Sequence, residues 1–310
     1  MPLIASTVPL PDPARQLLAE VGVVRGPERW EESLGEAEAL IPVLSKQVDA
    51  ALLDRAPRLR IVACPTVGYD YVDLDACRER GIIVTHTPDV LTDATADLAW
   101  ALLLATVRRL PQAEASLRGG EFQGWRFRDY LGGDITGATL GIFGMGRIGQ
   151  AVARRAAPFG MRVQYTSRTR ISDAEERALG AEWVEWETLL TTSDVLSLHA
   201  PLTPETRHLL DPNSLRRMKT GSYLINTARG ALVDEAALVE VLRSGPLAGA
   251  GLDVYEHEPE VTPGLLELDN AVLLPHIGSA TRGTRMNMAM LAARNIHRVL
   301  SGELPLTPVM

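Results

Sequence analysis

The sequence predicts an α/β protein built from two doubly wound parallel sheets, one domain inserted into a smaller one. Short apolar runs alternate with amphipathic helical patterns over nearly the whole chain, as strand–helix–strand units require. A chain of 310 residues is long for one core, which favours two domains. The runs also fall into two sets, separated by a long helical pattern at residues 93–110.

Taken in order, residues 3–7, 39–44, 59–63 and 82–85 read as strands, with helices such as 13–20 and 49–55 between them. The helix at 93–110 has Thr92 or Asp93 placed as its cap. Its apolar density (Leu98, Ala99, Trp100, Leu102, Leu103, Leu104) predicts burial between domains or subunits. Residues 119–137, rich in glycine and aromatics, read as a loop. The second set of strands is 139–143, 162–166, 195–199, 222–226, 249–253 and 271–274, and six strands with crossovers make a full doubly wound sheet. A last helix, 283–300, follows the final strand and leads the chain back towards the first set. The expected division is therefore a discontinuous domain, 1–93 plus 284–310, around a continuous one, 94–283.

Composition narrows the function. Apolar residues make up 46%, as in a well-buried globular protein, and the net charge of −8 argues against a nucleic-acid partner. Cys64 and Cys77 are too few for a disulfide framework and lack metal-ligand spacing, so no metal is expected. Residues 1–6 run into prolines rather than a charged and then apolar leader, and no apolar run reaches about 18 residues. A cytoplasmic protein without membrane contact is the expectation.

Chemistry enters at Gly144-Met145-Gly146-Arg147-Ile148-Gly149. The strand at 139–143 precedes it and a helix, read as 150–159, follows it. That is the setting of a dinucleotide fingerprint. The first glycine permits the bend, the second lets backbone approach pyrophosphate, and the third lets helix pack on strand. The nucleotide domain thus has the Rossmann pattern. Where an acidic residue would grip a ribose diol, Ser167, Arg168, Thr169 and Arg170 stand instead. A hydroxyl and two guanidiniums suit a 2′-phosphate, so NADPH is the preferred cofactor and NADH a possible one.

The C-terminal ends of the other strands carry His199-Ala200-Pro201, Thr227-Ala228-Arg229-Gly230, Asp253 and Pro275-His276-Ile277-Gly278-Ser279. Hydride transfer to a ketone needs a group that anchors the substrate and one that supplies a proton. Arg229 can pair with a carboxylate and His276 titrates near neutrality. On composition alone His199 and His257 rival His276, and Glu256, Glu258 and Glu260 are equally placed as a partner or as a solvated loop.

Several segments in order resemble the D-isomer-specific 2-hydroxyacid dehydrogenases, and within them the glyoxylate/hydroxypyruvate reductases. They are Thr66-Val-Gly-Tyr-Asp70, the run from Thr87 to Asp97, the glycine turn, Asn226-Thr-Ala-Arg-Gly230, Gly251-Leu-Asp-Val254 and Pro275-His-Ile-Gly-Ser-Ala-Thr281. The resemblance implies a smaller, flavodoxin-like substrate domain beside the Rossmann domain. It implies that Arg229 binds the substrate carboxylate and carbonyl, that His276 is the acid/base, and that Glu258 is its partner. It places Asp253 on the nicotinamide carboxamide, and Leu44, Ser45, Val67 and Gly68 around a 2-oxoacid that enters between the domains. Thr95, Thr206, Gly278 and Ser279 join the glycine turn, Ser167–Arg170, His199–Pro201, Thr227–Arg229 and His276 as expected cofactor contacts. It also implies a homodimer, with the 98–104 face and the 119–130 loop as candidate contacts.

Tyr71, His86 and Ala138 depart from the pattern, at places where Asn, Asn and Lys are common; none removes a catalytic group, and Tyr71 and His86 bear on loop packing and so on substrate fit. The competing readings are another enzyme of this fold, acting on phosphite or a different 2-oxoacid, and a dinucleotide-sensing binding protein.

Overall fold

The computed structural model describes residues 1–309 and divides into two units, Met1–Leu91 with Ser279 onward, and Thr92–Gly278. The expected joints, after residues 93 and 283, fall a few residues late, because the connecting helix begins at Thr92 and its packing belongs to the second unit.

In the first unit, β1 (Leu3–Ser6), α1 (Asp12–Ala19), β2 (Val23–Arg25), β3 (Ala37–Ile41), α2 (Ala50–Asp54), β4 (Ile61–Ala63), α3 (Leu74–Glu79) and β5 (Ile83–Thr85) follow in order. They make a parallel sheet in the order β2-β1-β3-β4-β5, the flavodoxin-like winding. The central strands are largely apolar and buried, with Ser6 and Glu38 the polar exceptions, as befits strands covered on both faces. The Asp49 and Asp73 carboxylates cap α2 and α3, accepting from Leu52 N and Ala76 N.

The second unit contains α4 (Thr92–Val107), α5 (Leu110–Arg118), β6 (Thr139–Phe143), α6 (Arg147–Arg154), β7 (Arg162–Thr166), α7 (Asp173–Leu179), β8 (Ala181–Trp183), α8 (Trp186–Thr192), β9 (Val195–Leu198), α9 (Pro212–Arg217), β10 (Tyr223–Asn226), α10 (Glu235–Ser244), β11 (Gly249–Leu252) and β12 (Ala271–Leu273). Its parallel sheet has the order β12-β11-β10-β9-β6-β7-β8. The chain winds outward from β6 in one direction and from β9 in the other. The switch point where ligands bind in such sheets therefore lies between those two strands. Helix α11 (Arg282–Leu300), capped by the Thr281 hydroxyl on Thr284 N, packs against α1 in the first unit.

Three sequence expectations need correction. The second sheet has seven strands among the described residues, not six. The additional strand β8, like β2 in the first sheet, is a three-residue edge strand with too little buried pattern to register. The helix read as 150–159 is α6 from Arg147, ending at Arg154, and a separate 3-10 turn at Ala157–Phe159. Pro158 cannot continue a helix, and Gly160 closes the turn in the left-handed region. Finally, most of the apolar face of α4 serves the core of the second unit itself. Ala99, Trp100, Leu102 and Leu103 pack with Leu140, Ile142 and Ile225, and the Trp100 indole donates to Val152 O at 3.0 Å.

Candidate active site

Strand register gathers the site. Phe143, Leu198, Asn226, Leu252 and Leu273 lie in one row across β6, β9, β10, β11 and β12. The next residue on each strand is Gly144, His199, Thr227, Asp253 or Leu274, so residues distant in sequence share the C-terminal edge of one sheet. On the other side Thr166 pairs with Phe143, which sets Ser167 beside the glycine turn.

The turn has the shape a dinucleotide requires. Gly144 has φ 96°, and a Cβ there would meet Ala200 N and His199 C at 2.7 Å. A Cβ on Gly149 would meet Gly144 O at 2.1 Å, so that glycine lets α6 lie against the turn. Gly146 is different: a Cβ would meet nothing within 4 Å, and no side chain caps the N-terminus of α6. Open space over a helix N-terminus is where backbone amides and dipole favour an anionic phosphate. Nearby on the same edge, the Thr227 hydroxyl is buried and has no hydrogen-bond partner among the described residues. A bound ligand that offers it a partner would relieve that cost. The residues present fit a dinucleotide.

Ser167–Arg170 is less uniform than the sequence implies. The Arg170 guanidinium forks onto Glu176, Nε to Oε1 at 2.8 Å and Nη2 to Oε2 at 2.7 Å. Tyr165 Oη donates to the same carboxylate at 2.6 Å, and Arg170 with Tyr165 holds Glu176 down to about 2. One of the two expected guanidiniums is thus committed inside the unit. Arg168 makes no ion pair among the described residues and is exposed, its field helping to keep Glu205 ionised. The Ser167 hydroxyl turns back onto Thr169 O at 2.7 Å.

The proton chemistry centres on His276, whose Nδ1 lies 2.8 Å from Glu258 Oε2. His276 has φ 53°, in the left-handed region that non-glycine residues rarely occupy. The strain is held by the next two amides, since Ile277 N and Gly278 N donate at 2.7 Å to the two oxygens of Asp253. Asp253 is 1% exposed, and burial raises its pKa against the pull of those amides. Two lone-pair positions remain on its carboxylate for a donor such as a carboxamide. Burial is the largest single influence and pushes Glu258 upward, but the hydrogen bond and charge of His276, with the Tyr255 amide and the Arg229 field, together outweigh it, so Glu258 is held below the ordinary carboxylate range.

Arg229 sits in the turn after β10, half-buried, with Nη1 donating to Ala228 O at 2.7 Å. The Asn226 side chain builds that turn, accepting from Ala228 N at 3.0 Å and donating to Arg229 O at 2.8 Å. The field of Arg229 also favours ionised Glu258, which puts guanidinium, carboxylate and imidazole in one electrostatic group.

The rival groups are now separable. Glu256 is taken by His208 Nε2 at 2.6 Å and Arg207 Nη2 at 3.0 Å, while the side chains of Glu260 and His257 make no hydrogen bond or ion pair among the described residues. His199 Nε2 is 2.8 Å from Ser197 Oγ, and burial lowers its pKa from 6.5 to about 4. It is neutral near pH 7 and unsuited to donating a proton there. The same shift acts on folding. The unfolded imidazole takes up a proton near 6.5 and the folded one near about 4, so His199's contribution is complete above 6.5 and lost as pH falls towards about 4. Thermal unfolding of His199→Asn over that range should show a shallower loss of stability with acid than the wild type. Equal slopes would mean that His199 titrates normally when folded.

The model of the D-isomer-specific 2-hydroxyacid dehydrogenase NAD-binding domain matches residues 100–278, more than half of the chain. The chain belongs to this family. The dehydrogenase is 51% identical over 278 residues to the glyoxylate reductase of Thermococcus litoralis, covering 88% of this chain and 84% of that one. Its fold superposes on a Thermus thermophilus protein with a TM-score of 0.92 at 48% identity, covering 99% of this chain and all of the other. It superposes on the NADPH-dependent glyoxylate/hydroxypyruvate reductase of Sinorhizobium meliloti, solved with NADP and malonate, with a TM-score of 0.86 at 37% identity. That match covers 99% and 96% of the two chains. A nicotinamide dinucleotide is accordingly the cofactor of this dehydrogenase, and among the described residues no helix is long and apolar enough to cross a membrane.

The remaining expected residues divide between the units. Thr95 on α4 is buried beside Gly278, and the Thr206 hydroxyl donates to Pro201 O at 2.8 Å, fixing the loop after His199. Leu44, Ser45, Val67, Gly68 and Ser279 belong to the first unit. There Thr66 Oγ1 donates to Gly68 O at 2.7 Å and accepts from Tyr71 Oη at 2.9 Å, while His86 Nδ1 reaches Val67 O at 3.0 Å. Tyr71 and His86, two of the three departures from the family pattern, therefore help to shape the 66–71 loop. Sequence reasoning missed Asn226 as the builder of the arginine turn, Gly230 as a close-approach position, and Glu235 as an anchor. Only the first two lie in a recognisable motif.

Proposed function

We propose that this dehydrogenase reduces a small 2-oxoacid, glyoxylate or hydroxypyruvate, to the D-2-hydroxy acid, preferring NADPH and able to use NADH. The carrying observation is the 2.8 Å His276 Nδ1–Glu258 Oε2 bond in the same electrostatic group as Arg229. The dinucleotide, when bound, supplies the hydride. Gly146 leaves room for its phosphates, Gly144 and Gly149 let the turn and α6 close up behind them, and Asp253 would accept from its carboxamide. Arg229 holds the substrate carboxylate as a fork, with Val67 and Gly68 as further anchors and Leu44 and Ser45 as pocket wall. With Nδ1 committed to Glu258, His276 gives the proton on Nε2 to the ketone oxygen as the carbonyl carbon gains hydride. Ionised Glu258 keeps the imidazole oriented and favours its charged form. Supporting this reading, relatives about half identical to the chain are glyoxylate reductases. The product tests it: hydroxypyruvate should give D-glycerate, and L-glycerate or no turnover contradicts the assignment.

Arg168 is the residue proposed to favour NADPH. Arg168→Ala should weaken NADPH by several-fold more than NADH, read as kcat/KM for each cofactor. Arg170→Ala should affect both alike, because its fork is spent on Glu176. Equal losses for both cofactors in Arg168→Ala would remove phosphate recognition from that side chain.

A homodimer is proposed as the working assembly. With most of the α4 face used in the core, support rests on the 119–130 segment, where Trp125 is 83% exposed and Phe127 79%. Light scattering of the purified protein at twice the chain mass is the expected reading, and the monomer mass contradicts it.

A further inference from the structure

Glu235 is a buried carboxylate that the reaction above does not use. It opens α10, is 2% exposed, and makes no ion pair among the described residues. A buried charge without a cationic partner is costly, and an apolar side chain of similar volume usually serves stability as well or better. The hydrogen bonds of Glu235 show what it does. Oε1 accepts from Glu256 N at 2.6 Å, and Oε2 accepts a short bond from the Thr262 hydroxyl.

Those two partners are the ends of a strap, and Glu258 lies between them. Within the strap, Glu260 N donates to His257 O at 2.9 Å, closing the turn that carries Glu258. Glu258 Oε1 accepts from Tyr255 N at 3.1 Å, which leaves Oε2 for His276. Tyr255 Oη in turn donates to Leu274 O at 3.0 Å, two residues before His276. Glu235 thus fixes the backbone on both sides of the carboxylate that orients the imidazole, from a helix that bears no reacting group.

We propose that Glu235 is a positioning residue for the acid/base pair: by pinning both ends of the strap at 256 and 262 it holds Glu258 against His276. This rests on the reading of His276 as proton donor. In Glu235→Ala the strap loses both anchors and the Glu258–His276 bond loosens. An imidazolium with a weaker carboxylate partner gives up its proton more readily, so activity that needs the protonated ring fails at lower pH.

The test is the pH profile of kcat for glyoxylate reduction with NADPH. Glu235→Ala should lower kcat roughly 10–100-fold, move the high-pH limb to lower pH and leave the KM for NADPH unchanged. Glu235→Gln keeps an acceptor for Glu256 N and a donor for the Thr262 hydroxyl, so its limb should stay with the wild type. A limb unmoved in Glu235→Ala, whatever its melting temperature, overturns the proposal. If that protein is too unstable to purify, Thr262→Val decides, since it removes one anchor only: a limb shifted the same way supports the proposal and an unmoved limb overturns it. Full turnover in His276→Ala would overturn the acid/base reading itself, and that result is independent of any Glu235 variant.

Discussion

Replacing His276 with alanine should lower kcat for 2-oxoacid reduction by about 10²–10⁴-fold while changing KM far less. The asymmetry follows from where the ring acts. Its Nδ1 is occupied by Glu258 at 2.8 Å, so Nε2 is the nitrogen left for a substrate oxygen, and proton donation matters most as negative charge develops there. Substrate anchoring belongs to Arg229, which the substitution leaves in its Asn226-built turn. Glu258→Gln should fall between the wild type and His276→Ala, because it keeps the ring but not the charge that favours the imidazolium. The pH sense is fixed by the direction of the Glu258 shift. A carboxylate held below its ordinary range keeps its ion pair above that range and loses it as pH falls through the lowered value. Wild-type activity should therefore persist into acid that would protonate an unpaired glutamate. Steady-state kinetics across pH check both points, and a His276→Ala protein with near-normal kcat would remove the ring from the reaction.

Gly230→Ala should be the most damaging single-methyl change in the site. A Cβ at that position would lie 1.8 Å from Tyr255 C, 2.1 Å from Tyr255 O and 2.3 Å from Glu256 N. These are backbone atoms, so no rotamer change makes room. The arginine turn and the strap bearing Glu258 must separate. Overpacking of a rigid site costs about 1–3 kcal/mol and more where backbone must move. For a chain of this size each kcal/mol lowers the melting temperature by roughly 2–4 °C. Turnover should fall as well, because Arg229 and Glu258 stand on opposite sides of the contact. Gly146→Ala is the matched control. Nothing lies within 4 Å of its Cβ, so stability should be kept while the Kd for the dinucleotide rises. Calorimetry with cofactor titration separates the two cases. A Gly230→Ala protein with wild-type melting temperature would mean that the turn and the strap are not packed as described.

Much of this site is legible in the sequence because its chemistry sits at strand ends, and parallel strands announce themselves as apolar runs. Thr139–Phe143 and Arg162–Thr166 are read to the residue: the first is a short buried run, the second alternates buried Val163 and Tyr165 with more exposed positions, and each is followed by glycine or a polar turn. The pairing of Glu258 rather than Glu256 with His276 follows from the family resemblance and is not legible in the residue chemistry alone. The two lie two residues apart in one acidic loop, and only the placement of Arg207 and His208 about fifty residues earlier separates them. Arg170 misleads for a similar reason: its partner Glu176 arrives through the first turn of α7, which composition near a phosphate site cannot reveal. The α4 stripe reads as an interface because a helix apolar on most sides resembles one, whereas here two faces are covered by the same unit. Glu235 leaves no sequence sign at all, since an acidic residue in the first turn of a helix is ordinary.

The most direct measurement is the loss of reduced-nicotinamide absorbance when glyoxylate is added to purified protein and NADPH. Consumption of NADPH in step with the hydroxy acid formed, abolished to the extent described by His276→Ala, is the expected result. An absorbance that stays constant with glyoxylate, hydroxypyruvate and every other small 2-oxoacid would contradict the assignment of this site to hydride transfer.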